Sequence, residues 1–254
     1  MYMKNISIII ATYNAAKTLK TCLDSIVPQL CAETELIIVD GDSKDNTNDI
    51  IKSYGDKVSV HISEPDKGIY DAWNKGVALS HGDWIMFIGA DDRLRPNAVN
   101  IYLEKIKKVP NECLLISCKR DMYSLDGKLV RTVGNRWEWP SCIKGMPISH
   151  PGALHSKKLF NEVGLFDISY RISGDYELLM RKATALNAEF IDVVNIDVYE
   201  GGISDSYAAI REYYKTLKNS QLLNRTLALR MYFVMYIKYT VKSFLRRLGI
   251  NAHL

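Results

Sequence analysis

Two adjacent acids, Asp91 and Asp92, follow the apolar run Trp84–Ile88 and the pair Gly89-Ala90. Neighbouring carboxylates at the end of a buried strand repel each other and lose solvation unless a cation offsets them. Hard oxygen ligands suit magnesium or manganese, ions that commonly bridge substrate phosphates. A loop pair capping the helix opened by Pro96 would place acids here as well. Asp40 closes a second apolar run, Glu35–Asp40, where a carboxylate can accept hydrogen bonds from a base or ribose. An Asx-turn into the next helix, which Asp42 and Ser43 serve equally well, is the plainer alternative. The segment Ser63–Gly76, SEPDKGIYDAWNKG, holds more polar groups than a simple connection needs. Within it Asp71, Asn74 and Lys75 stand three and four apart, so one helical face can present them to a diphosphate and ribose, or simply to water.

The elements that must carry these groups alternate. Ile6–Ala11 is a β-branched apolar run, as expected of a strand covered on both faces. Leu19, Cys22, Leu23, Ile26, Val27 and Leu30 then share one helical face, with Asn14 as a cap and Pro28 as a terminator. Strands follow at Glu35–Asp40 and Val58–Ile62, with a weak helix over Asp45–Tyr54 between them. A helix over Tyr70–Leu79, the strand Trp84–Ile88 and a helix from Pro96 to Lys107 complete the first half. This order predicts a doubly wound, mostly parallel α/β sheet, in which ligands gather at the carboxyl ends of the strands. The second half is less regular. It predicts a strand at Leu114–Cys118, a hairpin through Asp126-Gly127, and a loop over Asn135–Gly145. Helices at Lys157–Val163 and Tyr176–Leu186 and a strand at Phe190–Val193 follow. Asp175 sits where a helix N-cap belongs. Trp137 and Trp139 suit either an acceptor sugar or packing. From Tyr207 onward the pattern is helical to the end.

Length and composition fit one globular domain with a helical tail: 254 residues, 47% hydrophobic and 24% charged. The net charge of +4 gives no reason to expect nucleic acid, but its distribution is uneven. Nine basic residues and one acidic residue lie from Arg211 onward, leaving 24 basic and 28 acidic before it. A basic tail on an acidic body suggests contact with an anionic surface. Leu227, Met231, Val234, Met235, Lys238, Val241, Lys242, Leu245 and Leu248 mix apolar and basic positions at helical spacing, with Tyr232, Tyr236 and Tyr239 among them. Such a helix either lies on an anionic leaflet or packs on the body with a solvated basic face. The five cysteines include no pair at metal-ligand or C-x-x-C spacing, as expected of free thiols in a reducing compartment. No signal peptide and no transmembrane run are recognised.

Five segments in order carry a resemblance: ISIIIATYN, ELIIVDGDSKDNT, SEPDKGIYDAWNKGVALSHGDWIMFIGADD, SHPGALHSKKLFNEVGLFD and SGDYELLMR. Together they resemble family 2 glycosyltransferases of the GT-A fold, in particular the branch that builds bacterial surface polysaccharides such as O-antigen, capsule and exopolysaccharide. The resemblance spans about residues 5 to 200. It implies a nucleotide-sugar-binding and catalytic domain over 1–205 and a basic amphipathic helical tail over 206–254. It also implies roles. Thr12, Tyr13 and Asp40 would contact the base, usually uracil, with Asn14 and Ser43 beside them. Asp71, Asn74 and Lys75 would lie near the nucleoside and diphosphate. Asp91 would touch ribose or donor sugar, Asp92 would ligate manganese or magnesium, and His150 would line the diphosphate site as a further metal ligand. His155 is a weaker candidate. Asp175 matches the catalytic base. Two departures stand out. The aspartate-any-aspartate motif is here Ala90-Asp91-Asp92, and Gly174 precedes the base where many relatives carry Glu.

The implied reaction is inverting transfer of a hexose or N-acetylhexosamine from a UDP-sugar to a lipid-diphosphate-linked saccharide, at the cytoplasmic face of the cell membrane. A carboxylate base takes the acceptor proton, and a divalent ion stabilises the leaving diphosphate. A sugar-phosphate nucleotidyltransferase would need a glycine-rich phosphate loop after the first strand, where Thr12-Tyr13-Asn14-Ala15-Ala16 has no glycine. A non-catalytic nucleotide-sugar-binding protein would have no use for Asp175.

Overall fold

The computed structural model describes residues 5–201, 206–220 and 223–247. In chain order its strands and helices are β1 (Ile6–Thr12), α1 (Leu19–Ile26), β2 (Thr34–Asp40), α2 (Thr47–Ser53), β3 (Val60–Ser63), α3 (Ile69–Leu79), β4 (Trp84–Gly89), β5 (Arg93–Leu94) and α4 (Ala98–Ile106). They continue with β6 (Leu115–Tyr123), β7 (Leu129–Val133), α5 (Trp139–Cys142), β8 (Leu154–Ser156), α6 (Lys157–Val163), α7 (Gly174–Met180), β9 (Ala188–Tyr199), α8 (Tyr207–Asn219) and α9 (Arg225–Arg247).

The sheet runs β3-β2-β1-β4-β8-β6-β9-β5, with β7 hairpinned onto β6. β3, β2, β1 and β4 are parallel, β8 is inserted antiparallel, and β6 and β9 return to parallel pairing. The strand period of two divides the core. Ile6, Ile8 and Ile10 join Leu36, Ile38, Met86 and Ile88 in a layer covered by α1 and α4. Ile9 joins Ile37, Val39, Ile85 and Phe87 in a layer covered by α3, α6 and α7. Both faces are therefore dry, which is why β1, β2 and β4 read as unbroken apolar runs.

A third cluster brings Cys142, Tyr176 and Met180 together with Tyr213, Leu217 and Ala228. It joins α8 and α9 to the body. The boundary expected at residues 205/206 adjoins positions 202–205, and Leu248 follows the last helix; 202–205 and 248 lie outside the described residues.

Several expectations change at the element level. Helix α1 ends at Ile26 and Pro28 lies in a separate 3-10 turn over Val27–Gln29. Its cap position is Thr18, so Asn14 does not cap it. The predicted loop before Gly145 contains α5. The helix expected to reach Leu186 ends at Met180, and a 3-10 turn takes Ala183–Ala185. The last strand extends over twelve residues instead of four.

Candidate active site

The carboxyl ends of β1 and β2 are stitched into one wall. Asp40 is fully buried. Its Oδ1 accepts from Thr12 Oγ1 at 3.0 Å and Ser43 Oγ at 2.5 Å. Its Oδ2 accepts from the Ser43 N–H, Ser63 Oγ and Asn48 Nδ2 at 2.9, 2.7 and 3.1 Å. Burial alone would raise its pKa, but the hydroxyl and amide donors led by Ser43 and Ser63 outweigh it and hold the carboxyl below its usual range. Asp40 is thus a buried, satisfied anion that fixes two loops. Asn14 crosses between them: its N–H donates to Ser43 Oγ and its Oδ1 accepts from the Lys44 N–H, with φ at 49°. Above this wall Tyr13 is 67% exposed, a bare ring at a strand end.

Helix α3 borders the wall, and its three polar residues hold loops. Asp71 Oδ2 accepts from the Lys67 N–H at 2.9 Å. Lys75 pairs with Glu64 at 2.7 Å and donates to the Pro65 carbonyl. Asn74 clasps the backbone of Phe166, donating to its carbonyl at 2.9 Å and accepting from its N–H at 3.0 Å. The three share the helix but do not converge: Asp71 and Lys75 shape the 63–68 loop, and Asn74 anchors the chain that leads to Asp175.

At the end of β4 the acid pair folds back over Gly89. A Cβ on that residue would stand 2.8 Å from Asp91 Oδ1 and 2.9 Å from Asp92 Oδ2, so both carboxylates occupy space that only glycine leaves open. Asp92 Oδ2 also accepts from the Gly89 N–H at 3.0 Å. Asp91 is exposed and Asp92 is buried. Burial, reinforced by the charge of Asp91, pushes Asp92 up to about 7.

Asp175 lies in the first turn of α7, after the cap residue Ser173, and so does not itself cap the helix. Tyr70 Oη donates to the Ile172 carbonyl at 2.7 Å and lies 3.2 Å from Asp175 Oδ1. A side chain at position 174 would begin 2.8 Å from the Tyr70 ring. Gly174 therefore admits the tyrosine that aligns the acid. Burial raises the pKa of Asp175, opposed by its hydrogen bonds and by Arg120.

His150 completes this corner. Its Nδ1 is 3.8 Å from Asp175 Oδ2, its ring lies against Trp73 and Phe87, and its buried Nε2 has no hydrogen-bond partner. Burial, then the charge of Arg120, pushes it down to about 3, so the imidazole is neutral and can offer a lone pair. Among the described residues no three His, Cys, Asp or Glu side chains form a metal cluster on their own. The buried Asp92 carboxylate and the orphaned His150 Nε2 are each donor types that suit an ion whose other ligands are phosphates and water.

His155 is a core residue, paired across the sheet with Ile85 and Leu115. Trp137 donates its ring N–H to the Ala183 carbonyl, and both it and Trp139 are half-buried against the core. The sequence reading missed Tyr70 and Arg120. The signal for Arg120 was the Lys119-Arg120 pair interrupting the apolar run of β6.

A family model described as glycosyl transferase family 2 matches residues 7–152. A PGL/p-HBAD biosynthesis glycosyltransferase of Mycobacterium bovis is 31% identical over 229 residues, covering 85% of each chain. The crystal structure of S. aureus TarS 1-349 in complex with UDP-GlcNAc aligns with a TM-score of 0.67 at 18% identity, over 90% of this chain and 70% of that one. Of the longer TarS structure the chain spans 42%. Glucosyl-3-phosphoglycerate synthase from Mycobacterium tuberculosis, in complex with Mn2+, UDP and glucosyl-3-phosphoglycerate, gives a TM-score of 0.62 at 16% identity, over 87% and 81% of the two chains. At such identities the structural likenesses establish a shared fold.

Proposed function

Because the chain belongs to glycosyl transferase family 2, we propose that this glycosyltransferase moves a hexose or N-acetylhexosamine from a UDP-sugar to a saccharide acceptor, with inversion. The observation that carries the reading is the presence of a buried acid at the end of β4 and a half-buried one at the start of α7. One side chain is suited to the leaving diphosphate and the other to the incoming hydroxyl.

The donor's base would stack on Tyr13, above the wall that Asp40, Thr12, Ser43 and Asn14 make rigid. Asp91 would meet the ribose or the transferred sugar. Asp92, with His150, would hold manganese or magnesium, which neutralises charge on the leaving diphosphate. Asp175 takes the proton from the acceptor hydroxyl as that oxygen attacks the anomeric carbon and the bond to the diphosphate breaks. Its raised pKa makes it a stronger base than an exposed carboxylate, with Tyr70 Oη 3.2 Å from one of its oxygens and the neutral His150 ring beside the other. Bound Mn2+ and UDP in the glucosyl-3-phosphoglycerate synthase structure and UDP-GlcNAc in the TarS structure support the choice of donor and ion.

The acceptor is proposed to be lipid-diphosphate-linked, in bacterial surface polysaccharide synthesis, with the enzyme peripheral on the cytoplasmic membrane face. Among the described residues no helix is long and apolar enough to cross a membrane. Exposed Leu229, Phe233, Ile237, Val241 and Phe244 along α9 support a surface attachment.

Asp175→Asn tests the reaction. Transfer should fall by about a hundredfold or more, the contribution of a general base, while UDP-sugar affinity stays within about twofold because the donor contacts are intact. Retention of most activity would assign the proton to another group. A panel of UDP-sugars scored for manganese-dependent hydrolysis identifies the donor.

A further inference from the structure

A cavity of about 460 Å³ opens between the β6–β7 ribbon and residues 146–148, lined by Lys119, Arg120, Arg131, Asn135, Met146 and Ile148 among others. In the ribbon Arg120 faces Val133 and Met122 faces Arg131, so the two arginines are diagonal neighbours on one face. The pairing of β6 with β9 shifts register at Cys118/Lys119 and again at Lys119/Arg120. Such irregularities re-aim side chains beside sites.

Of the cavity's cations, the two arginines form no ion pair among the described residues. Lys119 is neutralised by Asp192. Arg120 is largely buried, its Nε has no hydrogen-bond partner, and among the described residues it forms no ion pair. Its field reaches Asp92 and Asp175, the two acids of the transfer site, and Arg131 repels it. Two guanidinium groups on one face repel each other, and an anion shared between them relieves that repulsion. Two planar donor forks match the several oxygens of a phosphate.

Position says whose phosphate it is. The base-binding wall stands at the ends of β1 and β2, on one side of β4, whereas β6 lies on the other side beyond β8. Asp92, at the end of β4, lies between. An anion at Arg120 and Arg131 therefore belongs to the molecule opposite the nucleotide.

We infer that this cavity binds a phosphate group carried by the acceptor, held by Arg120 and Arg131; the inference rests on the glycosyltransferase reading for the identity of the two partners. The phosphate can be that of a lipid diphosphate or of a small soluble phosphate ester.

The test is calorimetric titration of the full chain, saturated with UDP and magnesium, with inorganic phosphate, glycerol 3-phosphate and farnesyl diphosphate. Saturable binding is expected. Arg131→Gln, an exposed position, should weaken it about tenfold, the size of one charge-assisted contact, and leave UDP affinity unchanged. Arg120→Lys, which keeps the charge but loses the fork, should weaken it too. Preference for farnesyl diphosphate or for glycerol 3-phosphate distinguishes the lipid source from the soluble one, and either supports the site. Loss of phosphate binding when UDP is present would overturn the inference, since the arginines would then serve the donor. So would equal affinity in Arg131→Gln. UDP binding is measured in the same samples, so failure of the donor reading is seen separately.

Discussion

Asp92 is costly to the empty protein, and in the proposed reaction that cost is offset when an ion binds. Its carboxyl, near 3.8 in an unfolded chain, titrates at about 7 in the fold because burial and Asp91 disfavour the charge. The folded state therefore holds this proton more tightly than the unfolded one. The sign follows: the contribution to stability is fully present below about pH 4 and is lost as pH rises through about 7. A shift of this size corresponds to roughly 1–4 kcal/mol across that window. Asp92→Asn cannot ionise, so its melting temperature without ligand should fall less between pH 5 and 8 than that of the native chain. Manganese with UDP should raise the native melting temperature more at pH 8 than at pH 6, and should do little for the variant. Parallel melting curves for the two proteins would mean that Asp92 is not the strained acid. Gly89 and Gly174 belong to the same scale. Each is the absence of a side chain where a neighbouring group, the two carboxylates at Gly89 and the Tyr70 ring at Gly174, takes the volume.

At the scale of elements, the acid on α7 depends on α8. Glu212 accepts from the backbone N–H groups of Arg171, Ile172 and Ser173 at 2.7, 2.9 and 2.8 Å, gathering the turn that ends at Gly174. Removing it leaves donors without a partner, at a cost of roughly 1–3 kcal/mol. Glu212→Ala should lower kcat about tenfold through misplacement of Asp175 while KM for the donor holds. Glu212→Gln, which can still accept, should recover part of the loss, and a loss of activity that instead tracks a lowered melting temperature would indicate general unfolding. This dependence was not legible in the sequence, because Glu212 and residues 171–173 are some forty positions apart and neither segment looks incomplete alone. The parallel core was legible: runs such as ISIIIA and ELIIVD have one physical use. β5 and β8 were not, being only two and three residues long. β9 was read short because the polar Asn195 and Asp197 interrupt the apolar pattern after Val193. In the site, Asp40, Asp91 and Asp92 showed themselves by following apolar strands, whereas Asp175 stood out only through the family resemblance. Tyr70 and Arg120 showed little, since an aromatic on a helix and a cation in a strand usually signify packing and solvation.

At the scale of the molecule, charge and apolar surface coincide at one end. Helix α9 has two apolar sides. Met231 and Met235 pack on the body, and Tyr232, Tyr236 and Tyr239 meet Tyr214 and Tyr207 of α8. The opposite side leaves Phe233 53%, Ile237 60% and Phe244 61% exposed, at intervals of four and seven. A helix that merely packed on the body would turn this side polar. Arg225, Arg230 and Lys238 lie on exposed positions of the same helix, and a basic helix with an apolar stripe suits an anionic bilayer better than a second basic copy of itself. Each large side chain is worth roughly 1.5–3 kcal/mol if fully transferred from water. Phe233→Glu with Ile237→Glu should therefore weaken co-sedimentation with phosphatidylglycerol vesicles by about tenfold or more. Binding of the native chain should fall as salt is raised, and should be weak on zwitterionic vesicles. Both substitutions are at exposed positions, so UDP-sugar hydrolysis should persist in the variant and establish that it has folded. Equal sedimentation of the two proteins would show that the stripe does not meet lipid. A shift of the native chain to dimers that the variant lacks would give the stripe to self-association instead.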